Sequence, residues 1–290
     1  MNTKKNKKGF TLAELLTAIA IIAILIGILL PALNMARNFA KTTRQKVQLS
    51  SIEVGINMFK NDAGYYPPSH GNTNATPPAA DYTYYGAQTL AEAMFGMDLL
   101  GFHLDSTFYS GDTTSYPAAP SDANIKKRKA LYIDRTNLGV FKLRDVFQTG
   151  SDNRYLICDT FETVNWPVTL ASGSPSTKNY KMGTPILYFR ANTSSLNIDV
   201  GTAKNDRIYD YQDNEALIGL GTVKDGTVKH LDFTESTGTA NFLTYIKDVT
   251  ASTASRDRPV KPDSFLLISA GPDGLYGTTD DICNFEPNIQ

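Results

Sequence analysis

Residues 10–30 form an apolar stretch of 21 residues that contains one charge, Glu14. As a helix, a stretch of this length crosses a hydrocarbon layer of about 30 Å. Lys4, Lys5, Lys7 and Lys8 precede it and no lysine lies within it. That arrangement keeps the extreme N-terminus cytoplasmic and sends everything after Pro31 outward. A secretory signal peptide shares the basic leader but ends in a small-x-small site after a shorter apolar core; here the small residue, Gly9, stands before the apolar run. A plain single-pass anchor accounts for the length but not for Glu14, because a carboxylate at membrane depth costs about 3 kcal/mol or more. No cation lies in the segment to offset it. A cut between Gly9 and Phe10 would supply one, the new α-amino group of Phe10, a helical turn from Glu14 of the same chain or near Glu14 of a neighbouring copy.

The run Lys7-Lys8-Gly9-Phe10-Thr11-Leu12-Ala13-Glu14-Leu15-Leu16 closely resembles the processing motif of type IV pilins and type II secretion pseudopilins. The resemblance implies cleavage after Gly9 by prepilin peptidase and methylation of Phe10. It also places the family's glutamate on Glu14 and its helix-kinking proline on Pro31. Proline inside a helix removes a backbone hydrogen bond and crowds the preceding turn, so a kink or local melting is expected there.

Beyond Pro31, Leu49, Ile52, Ile56 and Phe59 recur at helical spacing and predict an amphipathic continuation to about Asn61. Counted from Phe10 this helix is about 78 Å long. Gly64, Pro67 and Pro68 stop it. The resulting division is a leader at 1–9, a transmembrane part at 10–30, an amphipathic part at 31–61 and an exported head at 62–290. In the head, residues 67–86 and 110–124 are rich in turn formers and read as surface loops. Thr89-Leu90-Ala91-Glu92 has capping-box spacing and predicts a short helix running through Met94 and Met97 to Leu100. Runs at 155–157, 186–189, 228–233 and 265–268 read as strands. The expected class is α+β, a type IV pilin-like fold whose long N-terminal helix packs on a small antiparallel sheet.

Near the C-terminus, Asp273, Asp280 and Asp281 lie within nine residues that also contain Gly274 and Gly277. Such a stretch is either a solvated acidic turn or a loop that wraps oxygens around a hard cation; it is not an EF-hand, lacking that motif's alternating acids and closing glutamate. The stretch resembles the C-terminal calcium loop of major type II secretion pseudopilins. This implies Ca²⁺ held by Asp273, Asp280 and Asp281, with carbonyls near Pro272 completing the shell. The head is longer than in that family.

Other chemistries have little support. With the leader's four lysines removed, 24 of the 28 basic residues face 29 acidic ones, a poor balance for nucleic-acid binding. The one basic run of the head, residues 126–129, reads as a solvated face or a contact to an acidic filament neighbour. His70, His103 and His230 are scattered, and Cys158 and Cys283 form no C-x-x-C pair, which leaves either one disulfide or two separate thiols. No nucleophile elbow or phosphate loop is present. The expected function is a non-enzymatic subunit of a pseudopilus or related filament. Its partners would be prepilin peptidase, other pilin subunits, the inner-membrane assembly machinery and the membrane, and its head would lie outside the cytoplasm. The alternative is a minor pilin acting as a tip adhesin or substrate-binding module.

Overall fold

The computed structural model describes residues 11–71, 84–148, 154–169, 174–196, 198, 207–230, 233, 238–253 and 256–289. The chain divides into two compact units, residues 1–43 and 44–290. The described part of the first unit is helical from Leu12 on. Its helix, α1 (Leu12–Ala63), continues into the second unit and runs unbroken through Pro31. Residues 11–41 are exposed, including the large apolar side chains Leu15, Ile19, Ile22, Leu25 and Leu29. Among the described residues α1 is the one helix long and apolar enough to cross a membrane.

In the second unit the outer part of α1 buries Leu49, Ile52, Ile56 and Phe59. These are the side chains whose spacing predicts one apolar face. Phe59 is the hub, with edge-on rings of Phe102 at 4.9 Å, Tyr65 and Tyr132 at 5.8 Å and Phe108 at 6.2 Å. Gly64 closes α1 at φ +83°, where its N–H reaches the Lys60 carbonyl at 2.8 Å. Such a left-handed position suits a residue without Cβ. Two glutamines extend the buried face toward Arg44: the Gln45 side chain accepts from the Thr160 N–H at 2.8 Å, and the Gln48 amide donates to the Cys158 carbonyl at 2.9 Å.

The helix α2 (Gly86–Phe95) is buried along its whole length. It begins three residues before the predicted cap. Gln88 accepts from the Tyr85 N–H at 3.1 Å and closes the first turn, so Thr89 is already helical. It also ends early, at Gly96 (φ +77°), leaving Met97 to Leu100 in turns. The Glu92 expected at a cap is instead inside the core, where the hydroxyls of Tyr84 and Ser106 donate to its carboxylate. Burial pushes the Glu92 carboxyl up to about 7.

Three small antiparallel sheets complete the head. The first pairs β1 (Gly139–Lys142) with β2 (Tyr155–Cys158), the second β3 (Val164–Thr169) with β4 (Pro175–Met182), and the third has the order β5 (Leu187–Arg190), β6 (Phe265–Ser269), β7 (Ile282–Cys283). In the third sheet alternate residues point to opposite faces, and both faces are covered. Tyr188, Phe265 and Leu267 meet the α1 and α2 face, while Leu187, Phe189, Leu266 and Ile268 meet Tyr211, Phe242 and Tyr245. Double burial is why these strands read as continuous apolar runs. Of the short helices, α3 (Asp122–Ile125) precedes β1 in sequence, α4 (Leu143–Phe147) lies between β1 and β2, and α5 (Glu215–Gly219) and α6 (Gly238–Tyr245) lie between β5 and β6.

Several expectations are corrected. Residues 228–230 are turn and coil rather than strand, and 231–232 lie outside the described residues. The hairpin of β3 and β4 had no apolar signal because β4 is largely exposed and polar. It is anchored by Asp145, whose carboxylate accepts from the Thr169 N–H and whose carbonyl accepts from the Trp166 indole, both at 2.8 Å. Residues 72–83 lie outside the described residues, but Tyr84, Ser115 and Tyr116 beside or within the expected loops are buried. The basic run is solvated at Lys126 and Lys127, as read, with Lys127 meeting Asp105 and Lys129 meeting Asp62 near the surface, but the Arg128 side chain turns inward, 2% exposed, and forks onto Asp98. Cys158 and Cys283 are free thiols.

Replacing Phe59 by alanine removes the hub of an aromatic cluster and is expected to cost about 3–5 kcal/mol of head stability, read by chemical denaturation. Met58→Ala, at a site 47% exposed, is expected to stay within about 0.5 kcal/mol of the parent. Equal losses in the two variants would contradict the placement of the core.

Candidate functional site

Gly9 and Phe10 lie outside the described residues. At the start of α1, Thr11 and Glu14 hold each other: the Glu14 carboxylate accepts from the Thr11 N–H at 2.9 Å and hydroxyl at 2.8 Å, and the Glu14 N–H donates to the Thr11 hydroxyl at 3.2 Å. This is a reciprocal capping box. Glu14 therefore has hydrogen-bond donors within its own segment, and no cation is paired with it among the described residues. Pro31 sits inside α1, where its missing N–H leaves the Gly27 carbonyl without its intrahelical donor.

The C-terminal loop between β6 and β7 turns on three glycines, Gly271 (φ +66°), Gly274 (φ +74°) and Gly277 (φ +90°). The first is forced by contact as well, since a Cβ there would lie 2.2 Å from the Asp280 carbonyl oxygen. These turns bring Asp280 onto the Asp273 backbone, while Asp281 bonds to Tyr245 and Gly277. Asp280 Oδ2 accepts from the Asp273 N–H at 3.1 Å, and Oδ1 from the Thr278 hydroxyl. Asp273 Oδ1 accepts from the Leu275 N–H at 2.8 Å. Asp281 Oδ2 takes the Tyr245 hydroxyl at 2.6 Å and the Gly277 N–H at 2.8 Å. Its other oxygen, Oδ1, is buried with no hydrogen-bond partner among the described residues.

Burial, reinforced by the charges of Asp280 and Asp273, pushes the Asp281 carboxyl up to about 7. Burial and Asp280 raise Asp273 as well. An acid cluster that resists ionising is a place where a hard cation would gain most by neutralising charge. Among the described residues no group of three or more His, Cys, Asp or Glu side chains is arranged to hold a metal. A cation here would therefore take part of its shell from carbonyl and hydroxyl oxygens.

Two side chains that frame the loop escaped the sequence reading. Tyr245 comes from α6, distant in sequence, and His230 accepts from the Tyr276 N–H at 3.1 Å through Nδ1. Burial pushes His230 down to about 4. It is a neutral core acceptor rather than a ligand. Nothing in a lone Tyr or His announces such a role, because the partner is set by the packing of α6 and of residues 222–230 against the loop.

Asp281 binds its proton more tightly folded than unfolded. Its contribution to stability is thus complete below the ordinary carboxylate range of about 4 and lost as pH rises through about 7. In chelator, the melting temperature of the parent minus that of Asp281→Asn should fall between pH 4 and pH 8, on the order of 5 °C. A pH-independent difference would show that the carboxyl is not held protonated.

Comparison with known proteins places the N-terminal region. The prokaryotic N-terminal methylation motif matches residues 4–30. The type II secretion system core protein G of Klebsiella michiganensis is 32% identical over 87 residues, 27% of this chain and 60% of that protein. The chain thus spans less than two thirds of the length of the curated relative it matches. No solved structure matches. With the motif at its start, the long apolar helix behind it and a head of mixed helices and antiparallel strands, the chain is type IV pilin-like in fold and similar in sequence to a type II secretion core protein.

Proposed function

We propose that the chain is a non-enzymatic structural subunit of a type II secretion pseudopilus or a related type IV pilus-like filament, cut after Gly9 by prepilin peptidase and assembled through α1. The observation that carries this reading is the start of α1: an exposed apolar helix with one carboxylate in its first turn, inside the stretch that matches the methylation motif. In a bilayer those side chains meet lipid. Once a subunit leaves the bilayer the same surface must be covered, and the helices of other copies are the covering of matching chemistry.

Cleavage would turn the Phe10 nitrogen into an ammonium beside Thr11, which already holds the Glu14 carboxylate. Glu14 could then pair with that cation in its own chain or in a neighbour. Such a pair offsets the cost of a carboxylate at membrane depth and sets the register of one helix on the next. Pro31 would let the apolar part of α1 adjust its path. The subunit would stand in the inner membrane with one span and an extracytoplasmic head, its partners being prepilin peptidase, other pilin subunits and the assembly machinery.

Asp273, Asp280 and Asp281 would hold Ca²⁺, which supplies the positive charge their mutual repulsion favours and orders the loop at a subunit contact. The buried, unpartnered Asp281 Oδ1 and the raised carboxyls support this. A second reading, a minor tip subunit, is favoured by the size of the head, since most of the 290 residues lie outside the 87 aligned to the relative.

Intact-mass and N-terminal analysis of protein from membranes of cells with and without prepilin peptidase should find a methylated Phe10 terminus only with the enzyme. Glu14→Ala is expected to insert normally and to fail in filament assembly; a normal filament yield would refute the pairing. Asp273→Ala combined with Asp280→Ala should abolish the Ca²⁺-dependent rise in melting temperature. An equal loss of stability in chelator would mark a plain acidic turn.

A further inference from the structure

Four basic residues of α1, Arg37, Lys41, Arg44 and Lys46, follow its apolar part in sequence, and all four are exposed. No acidic residue lies between Glu14 and Glu53, so nothing in this stretch of the helix offsets their charge. Among the described residues no carboxylate pairs with Arg37, Arg44 or Lys46. Arg37, Lys41 and Arg44 stand at i, i+4 and i+7 and therefore share one side of the helix. Solvated helix faces usually mix the two signs of charge; this one carries a single sign. It also carries large apolar side chains: Met35 and Phe39, two residues to either side of Arg37, are 74% and 75% exposed. Apolar and basic residues interleaved at the end of a membrane-length helix suit a bilayer boundary, where the apolar ones reach acyl chains and the long basic ones reach phosphates.

Distance along the helix selects the layer. Arg37 stands about 10 Å beyond Leu30 at 1.5 Å per residue, at headgroup depth when residues 10–30 fill the hydrocarbon. Arg44 is about 10 Å further, roughly one Debye length from that surface at physiological salt, so its charge still acts on anionic lipid. Glu14 gives an independent check. It lies 23 residues before Arg37, about 35 Å along the axis, against a hydrocarbon layer of about 30 Å. With Arg37 among the outer phosphates, Glu14 falls at the opposite edge of the hydrocarbon, where a carboxylate costs less than at the centre. The same depth of insertion thus suits both charges.

We propose that the basic face of α1 centred on Arg37 and Arg44 binds the phosphates of anionic phospholipids in the outer leaflet of the membrane that α1 spans. The inference rests on the membrane-anchored reading of residues 10–30, and the experiment separates the two. The full-length protein is incorporated into nanodiscs of phosphatidylcholine alone and of phosphatidylcholine with phosphatidylglycerol in equal parts. Failure to enter the first would refute the span itself. From the second, the lipids that stay with the protein on release are counted by native mass spectrometry, and phosphatidylglycerol is expected to exceed phosphatidylcholine about threefold. Arg37→Gln combined with Arg44→Gln is expected to remove most of that excess, with incorporation and the melting temperature of the head unchanged. Lys7→Gln combined with Lys8→Gln reports what the leader's lysines contribute. Equal retention of the two lipids, an unchanged excess in the arginine variant, or a loss confined to the lysine variant would overturn the proposal. So would protein dimers that the arginine variant dissolves while the lipid ratio stays the same, which would assign this face to a neighbouring copy.

Discussion

The head depends on one contact: the face of α1 made by Leu49, Ile52, Ile56 and Phe59, buried against α2 and one side of the β5–β6–β7 sheet. The sheet has three strands and β7 is two residues long, too little to stand alone in water. It is stable because both faces are covered, one by this helix and α2, the other by the aromatic cluster of Tyr211, Phe242 and Tyr245. The remaining two-stranded sheets lean on the same core through Ile157 of β2 and through Asp145, which fastens the β3–β4 hairpin.

Polar groups inside this core are costly, and the largest are tied by hydrogen bonds, although Gln45 Nε2 and Gln48 Oε1 are buried with no partner among the described residues. Glu92 is buried among hydroxyl donors, Arg128 is sealed by a forked pair to Asp98, and Gln45 and Gln48 tie α1 to residues 158–160. Such groups add little net stability but penalise any arrangement in which they lose their partners, so they select one docking of helix on head. Asp281 is half satisfied in the same way as Gln45 and Gln48, with one carboxylate oxygen bonded and the other without a partner among the described residues.

The first unit follows a different rule. From Thr11 to Lys41 the helix buries nothing, and its apolar surface makes physical sense in lipid or among helices of the same kind. A filament subunit of the proposed type uses both settings in turn. That demands a helix stable by its own hydrogen bonds, and the Thr11–Glu14 box supplies the start of one.

The tetrapeptide Thr-Leu-Ala-Glu occurs at 11–14 and again at 89–92, and its two fates separate what is local from what is not. At 11–14 nothing competes with the backbone, and the residues form the capping box their spacing encodes. At 89–92 upstream residues already start α2, and Glu92 turns inward to Tyr84 and Ser106. Sequence alone determined the membrane-length helix, its amphipathic continuation, the processing motif and the doubly buried strands, because each is a short-range pattern of apolarity or charge. It did not reveal the polar hairpin of β3 and β4, the inward turn of Arg128 onto Asp98, or the Tyr245 and His230 frame of the aspartate loop. Those rest on contacts between residues tens to hundreds of positions apart, and only the packing of the head decides which of many chemically equivalent side chains meet.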